Sequence, residues 1–274
     1  MLSNLSEETK VQVVTALGNL TSHRELQNRL ENAGFIVDIV NVFKGEKGRE
    51  MRLACALALN SICKLSPPRQ EQAVLAGCVP SLIDCLKEQG KLRQISISLL
   101  CSFVNTSVAA RCILHQYNAL AALIDVLVYD HSIFDAIATW VMKEPLKCEN
   151  IVIDENNLKV CIDVFNVADD GAVQCMLKIM GASGKFVKAI MNRKDFLQGL
   201  FEKLKKGKND AGKAKNCLDL LLAVVSQHPK PRTLMDEHKF YPLIVKILHE
   251  SRDSDLVMVE EIATLLLSIY SGKA

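Results

Sequence analysis

The sequence predicts an all-α solenoid, a stack of repeated helices, on three observations. Apolar residues recur at three- and four-residue spacing along nearly the whole chain, which is the helical period, and strand-like alternation is scarce. Glycine and proline number only 13 and 7 in 274 residues, too few to punctuate many short strands. Two independent landmarks return every forty or so positions, the mark of stacked helical units. An apolar share of 49% is enough for a sizeable core and excludes wholesale disorder.

The first helix opens at Ser6, whose hydroxyl can cap free amides, with Glu7 and Glu8 in the first turn where the helix dipole favours acids. This long helix carries Val14-Thr15-Ala16-Leu17-Gly18-Asn19-Leu20. Counterparts of Asn19 follow at Ser61, Ser102, Thr139, Lys178, Ala223 and Ser268, at steps of 42, 41, 37, 39, 45 and 45 residues. A second helix type begins near Gly34-Phe35-Ile36 and recurs at Gly77-Cys78-Val79, Asn118-Ala119-Leu120, Asn157-Leu158-Lys159, Asp195-Phe196-Leu197 and Lys239-Phe240-Tyr241. Its steps are 43, 41, 39, 38 and 44. Pro80 and Pro242 stand in the first turn of this type, where a missing N–H costs nothing. Pro67-Pro68-Arg69-Gln70-Glu71-Gln72-Ala73-Val74, between the two types, reads as a small third helix. A period near 40 with a third helix fits the armadillo pattern better than the two-helix HEAT pattern. The expected architecture is an armadillo-type α-solenoid. It is a right-handed superhelix of about six repeats plus a closing helix near residues 254–270, forming a single domain over 1–274.

Chemistry is hard to find in this chain. A formal charge of +2 gives no global electrostatic case for nucleic acid or membrane surfaces. No stretch reaches the roughly 18 uninterrupted apolar residues of a membrane span. The N-terminus has neither a basic lead nor a hydrophobic signal core, so a cytoplasmic protein is expected. The ten cysteines form no C-x-x-C pair and fall among apolar residues, as at Cys55, Cys85 and Cys101, so they read as reduced core residues with no metal site. Gly181-Ala182-Ser183-Gly184-Lys185-Phe186 imitates a phosphate loop, but Ile179 replaces the first glycine and Phe186 the metal-binding hydroxyl. It reads as a tight interhelical turn. The six histidines form no zinc-binding helical pair, kinase signatures are absent, and no cofactor is implied. The reading is non-enzymatic.

Function is therefore expected on the surface. In an armadillo array the long helix lines a groove, and positions four and eight residues before the landmark share its face. That face carries Asn19 and Leu57, then Ser98 and Ser102, then His131, Asp135 and Thr139, then Gln174 and Lys178, and then Asp219. It reads as a protein-binding groove for other proteins or peptide segments, phosphorylated ones included, although any amphipathic helix also has a wet face. Lys203, Lys205, Lys206, Lys208, Lys213 and Lys215 form a basic patch in the most irregular stretch. It reads as a solvated turn, or as a holder of phosphorylated segments or acidic headgroups. Nucleic acid is disfavoured, because stacking aromatics are few and Trp140 is the only tryptophan.

Asn216-Cys217-Leu218-Asp219-Leu220-Leu221-Leu222-Ala223-Val224-Val225, followed by Ser226-Gln227-His228-Pro229-Lys230-Pro231-Arg232, resembles the C-terminal armadillo region of a group of protein kinases. These are the plant MAP-kinase-kinase-kinase epsilon type and the fungal septation-initiation kinases. The His-Pro-basic-Pro-basic run is the most specific feature. Met258 to Leu266, Phe134 to Ala138 and Leu99-Leu100-Cys101 look like further matches, and the likeness spans roughly residues 70–270. The resemblance implies a regulatory or targeting scaffold in cytokinesis signalling, recruited to division structures, with no kinase domain in this chain. Two other readings stay open: a free-standing armadillo adaptor unrelated to kinases, and a helical repeat binding polyanions (RNA or acidic lipid) through the lysines. Importin-like and catenin-like proteins repeat a groove asparagine, and here only Asn19 stands at that landmark.

Overall fold

A computed structural model describes residues 6–21, 23–252 and 257–272. Ser6 accepts a hydrogen bond from the Thr9 amide (3.3 Å), so the cap expected there opens α1 (Glu7–Leu20). A short helix, α2 (Arg24–Asn32), and a medium one, α3 (Phe35–Gly45), follow it. The same three positions, called long, short and medium after this first triplet, return in α4 (Arg49–Cys63), α5 (Pro67–Leu75) and α6 (Val79–Cys85), and again in α7 (Lys91–Val104), α8 (Val108–Gln116) and α9 (Ala119–Val126), although α6 and α9 are shorter than α5 and α8. Three more triplets follow: α10 (Ile133–Lys143), α11 (Pro145–Val152) and α12 (Glu155–Val167), then α13 (Asp170–Ala182), α14 (Gly184–Ile190) and α15 (Lys194–Gly207), then α16 (Ala211–Val225), α17 (Pro231–Glu237) and α18 (Phe240–Arg252). The closing helix is α19 (Val257–Ser271). Residues 253–256, at the start of the span expected for it, lie outside the described residues. The described residues are all-helical, as an α-solenoid requires.

The second landmark has a physical origin. Gly34, Gly77, Asn118 and Lys239 each hold a left-handed backbone just ahead of a medium helix, with φ of 79°, 91°, 54° and 59°. Glycine and asparagine enter that region at least cost, which is why they recur there. In the fourth and fifth triplets a capping residue does the job instead. Asp154 accepts from the Asn156 and Asn157 amides ahead of α12, and Arg193 caps α15 from extended backbone. The landmarks Asn157 and Asp195 therefore sit inside their helices, and the copies read weakly.

The described residues fall into two compact units divided between Val126 and Leu127. In unit 1 the long helices stack on their own kind, α1 on α4 and α4 on α7, as do α5 on α8 and α6 on α9, while α3 packs on α4 and α5. Unit 2 repeats the rule, with α10, α13, α16 and α19 in one column, α12 on α15 and α11 on α14. Each contact buries an apolar stripe that no triplet can bury alone. In α4 that stripe is Cys55, Ala58 and Ile62; in α16 it is Cys217, Leu220 and Val224, and all six are nearly inaccessible. Eight of the ten cysteines are buried among these core residues, and burial pushes the Cys55 and Cys161 thiols up to about 12.

Polar side chains fasten the short helices. Arg69 of α5, only 9% exposed, donates to Glu31 Oε2 (2.7 Å), Gln27 Oε1 (2.7 Å) and Asn28 Oδ1 (2.8 Å) of α2. In unit 2, Glu149 of α11 accepts from Lys185 Nζ (2.7 Å) and Ser183 Oγ (3.3 Å), and the lysine's hydrogen bond lowers its pKa. Ser183 also caps α14 by accepting from the Phe186 amide (3.2 Å). The phosphate-loop imitation is thus a helix–helix turn whose lysine is engaged by a carboxylate.

Close approach matters at Gly18, where a Cβ would lie 3.0 Å from the Ala58 Cβ and 3.2 Å from its Cα. Backbone on one side and a core alanine on the other leave nothing that can swing away. Gly18→Val is expected to push α1 off α4 at a cost of about 1–3 kcal/mol. Hydrogen exchange should show faster amides over α1 with α10–α19 unchanged; undiminished α1 protection would mean this contact does not hold the helix.

Candidate protein-binding surface

Because the long helices stack on their own kind, the faces one and two turns before each landmark come together within each unit. In unit 1, Thr15 and Asn19 of α1 meet Leu57, Asn60 and Ser61 of α4 across a cleft of about 570 Å³, with Lys64 and Lys91 also on its wall. A second cleft of about 450 Å³ lies between α4 and α7, lined by Ser98, Ser102 and Asn105, by Leu65 and Gln70, and again by Asn60 and Lys64. Ser98 Oγ donates to Asn60 Oδ1 at 3.4 Å. The predicted residues Asn19 and Leu57 share one cleft, and Ser98 and Ser102 share the next.

In unit 2, His131, in the turn before α10, and Asp135 of α10 share a cleft of about 300 Å³ with Gln174 of α13 and with Asp169. Lys178 bridges the same two helices, its Nζ 2.5 Å from Asp135 Oδ1, and that hydrogen bond raises the lysine pKa. Thr139 is half-buried on α10, and Asp219 holds Lys215 one turn before it on α16 at 2.7 Å. Asp135, Lys178, Thr139 and Asp219 are thus already tied into, or sunk among, their neighbours.

The basic patch has a different form from the irregular stretch expected. Lys203, Lys205 and Lys206 lie on α15, and Lys213 and Lys215 on α16, so little more than Lys208 to Asp210 is turn. Lys203 donates to the Ala168 carbonyl (2.6 Å) and lies 5.3 Å from the centre of the Phe165 ring, and burial lowers its pKa. Lys208 pairs with Glu250 (2.9 Å), Lys213 with Asp170 (2.9 Å) and Lys215 with Asp219. Lys205 and Lys206 are exposed. Four of the six ammonium groups therefore have internal partners.

Sequence reasoning missed Asn60, Lys64 and Lys91. It followed positions spaced by whole turns, whereas a cleft between two helices is also walled by the residue just before the landmark and the one just past the helix end. Asn60 and Lys64, four apart, were a usable signal. Leu65 had none.

Among the described residues no helix is long and apolar enough to cross a membrane, and no group of three or more histidine, cysteine or acidic side chains is placed to hold a metal ion. No protein-family model matches the chain. Cell division control protein 7 of Schizosaccharomyces pombe is 25% identical over 62% of this chain and 16% of its own length. MAP3K epsilon protein kinase 2 of Arabidopsis thaliana is 27% identical over 77% of this chain and 16% of its own. Cytokinesis protein sepH of Aspergillus niger is 25% identical over 64% and 13%. A crystal structure of an engineered protein shares the fold with a TM-score of 0.72, at 17% identity, over 98% of this chain and 66% of that one. The chain thus spans 12–22% of the length of the curated relatives it matches. The resemblance read from the His-Pro-basic-Pro-basic segment and its companions holds: at 22–27% identity, this chain is similar to part of the septation and MAP3K epsilon type proteins.

Proposed function

We propose that this chain is a non-catalytic armadillo-type module, one continuous domain over 1–274, that binds other proteins through the polar face of its long helices. Its role would be that of a regulatory or targeting scaffold of a cytokinesis-signalling kinase, acting in the cytoplasm and at division structures. The observation that carries the reading is the alignment of Asn19 with Leu57, of Ser98 with Ser102, and of His131 and Asp135 with Gln174, each set walling a cleft between stacked long helices. Open clefts between helices suit extended chains better than small substrates, and stacked repeats offer long surfaces of this kind. The likeness to small portions of much longer cell-division and MAP3K proteins supports a module that serves activities housed elsewhere.

The test is an affinity pull-down from dividing cells with the intact chain, with Leu57→Glu and with Asp135→Arg. Specific partners recovered by the intact chain should be lost or depleted at least several-fold with one variant, at unchanged helical content. Equal recovery by all three proteins would place the contact off the long-helix face and reject the reading.

A further inference from the structure

Unit 1 and unit 2 differ in the chemistry of their clefts. The unit 2 clefts mix both signs, with Asp135, Asp169, Asp170, Asp195 and Glu202 beside Lys203, Lys206 and Lys213. The two unit 1 clefts carry no carboxylate; their charged groups are Lys64, on the wall of both, and Lys91. Both lysines are exposed and have no ion-pair partner among the described residues. Asn60, one turn before Lys64, also walls both clefts, so the two share a wall on α4. Leu65 adds a second and independent feature. It follows Lys64 with φ 54°, and its side chain is 92% exposed. Of the other residues with positive φ, Gly34, Gly77, Asn118 and Lys239 precede a medium helix, and the remaining two, Gly90 and Gly272, are glycines. Leu65 stands outside that pattern, an apolar side chain held in water on a backbone that a leucine adopts only at a cost.

We infer that the two adjoining unit 1 clefts take an extended segment of a partner protein that pairs large apolar side chains with aspartate or glutamate. Apolar side chains of the segment pack on Leu57 in one cleft and on Leu65 in the other, the carboxylate meets Lys64 on the shared wall, and the Asn60 amide faces the segment's backbone. Uncompensated positive charge selects the acid, since a basic segment would bring like charges together in a partly desolvated cleft. The inference rests on the groove reading above and adds which half of the groove is used and by what chemistry.

The experiment uses the full chain and three fluorescein-labelled peptides of about ten residues, long enough to span both clefts when extended. One alternates leucine with aspartate and glutamate, one replaces the acids by lysine, and one replaces them by phosphoserine. Fluorescence anisotropy should show the acidic peptide binding tightest, weakened about tenfold by Lys64→Glu and also by added salt. Leu65→Gly should weaken it while leaving the melting temperature equal or higher, because glycine accepts the left-handed backbone without strain. Equal affinity for the lysine peptide, or indifference to Lys64→Glu and Leu65→Gly, would overturn the inference. So would binding of the phosphoserine peptide alone, or of none. The pull-down above uses none of these peptides and decides the underlying groove reading separately.

Discussion

Phe165→Ala is expected to destabilise unit 2 by about 3–5 kcal/mol, the cost of emptying a fully packed aromatic site. Phe165 of α12 is inaccessible to solvent and its ring centre lies 5.1 Å from that of Phe196 on α15. The pair holds the two medium helices together, and the same ring carries the half-buried ammonium of Lys203. Truncation therefore removes three things: apolar area, an aromatic contact, and the partner of a cation that burial already disfavours. Phe165→Leu keeps most of the volume and should cost less than about 2 kcal/mol. Chemical denaturation of both variants, with amide exchange over α12 and α15, is the measurement. A Phe165→Ala protein as stable as Phe165→Leu would mean that the neighbouring helices close the gap.

Arg69→Ala should have the next largest effect, about 2–4 kcal/mol in unit 1. Removing one member of a buried ion pair typically costs about 3–5 kcal/mol. The Glu31 side chain is still 34% exposed, so water takes over part of the lost interaction and the lower figure applies. The guanidinium reaches three acceptors at once, on Glu31, Gln27 and Asn28, and a point ammonium cannot. Arg69→Lys should therefore recover less than half of the loss. Exchange should rise first in α2, in which none of the residues of described burial is buried. If α2 protection survives Arg69→Ala, the helix is held by other contacts.

Much of this architecture was legible because each repeat buries the same stripe, and burial writes a period into the sequence. The Ser6 cap and the proline-started third helix at Pro67 were equally readable, since both follow from local backbone needs. Arg69 falls inside that third helix, yet nothing local separates an arginine that is clamped by α2 from one that waves in solvent. The lysines between 203 and 215 misled for a related reason: two glycines among charges look like a loop, while here both lie within α15 and α16 and the ammonium groups are spent on Ala168, Glu250, Asp170 and Asp219. Gly207 is even buried, and a Cβ there would lie only 2.9 Å from the Lys213 Cβ. The groove face was read at whole-turn spacing and so found half of each cleft wall. Its other half depends on which flank of one helix meets the next, and that is a property of packing.

Trp140 is wholly buried in unit 2 and is the chain's only tryptophan. Its emission therefore follows the state of residues 127–274 and ignores the first three triplets. A melt tracked by that emission, laid over one tracked by far-ultraviolet circular dichroism, weighs one unit against all the helices together. Two curves that part would reveal stepwise melting; a single shared curve would reveal concerted loss.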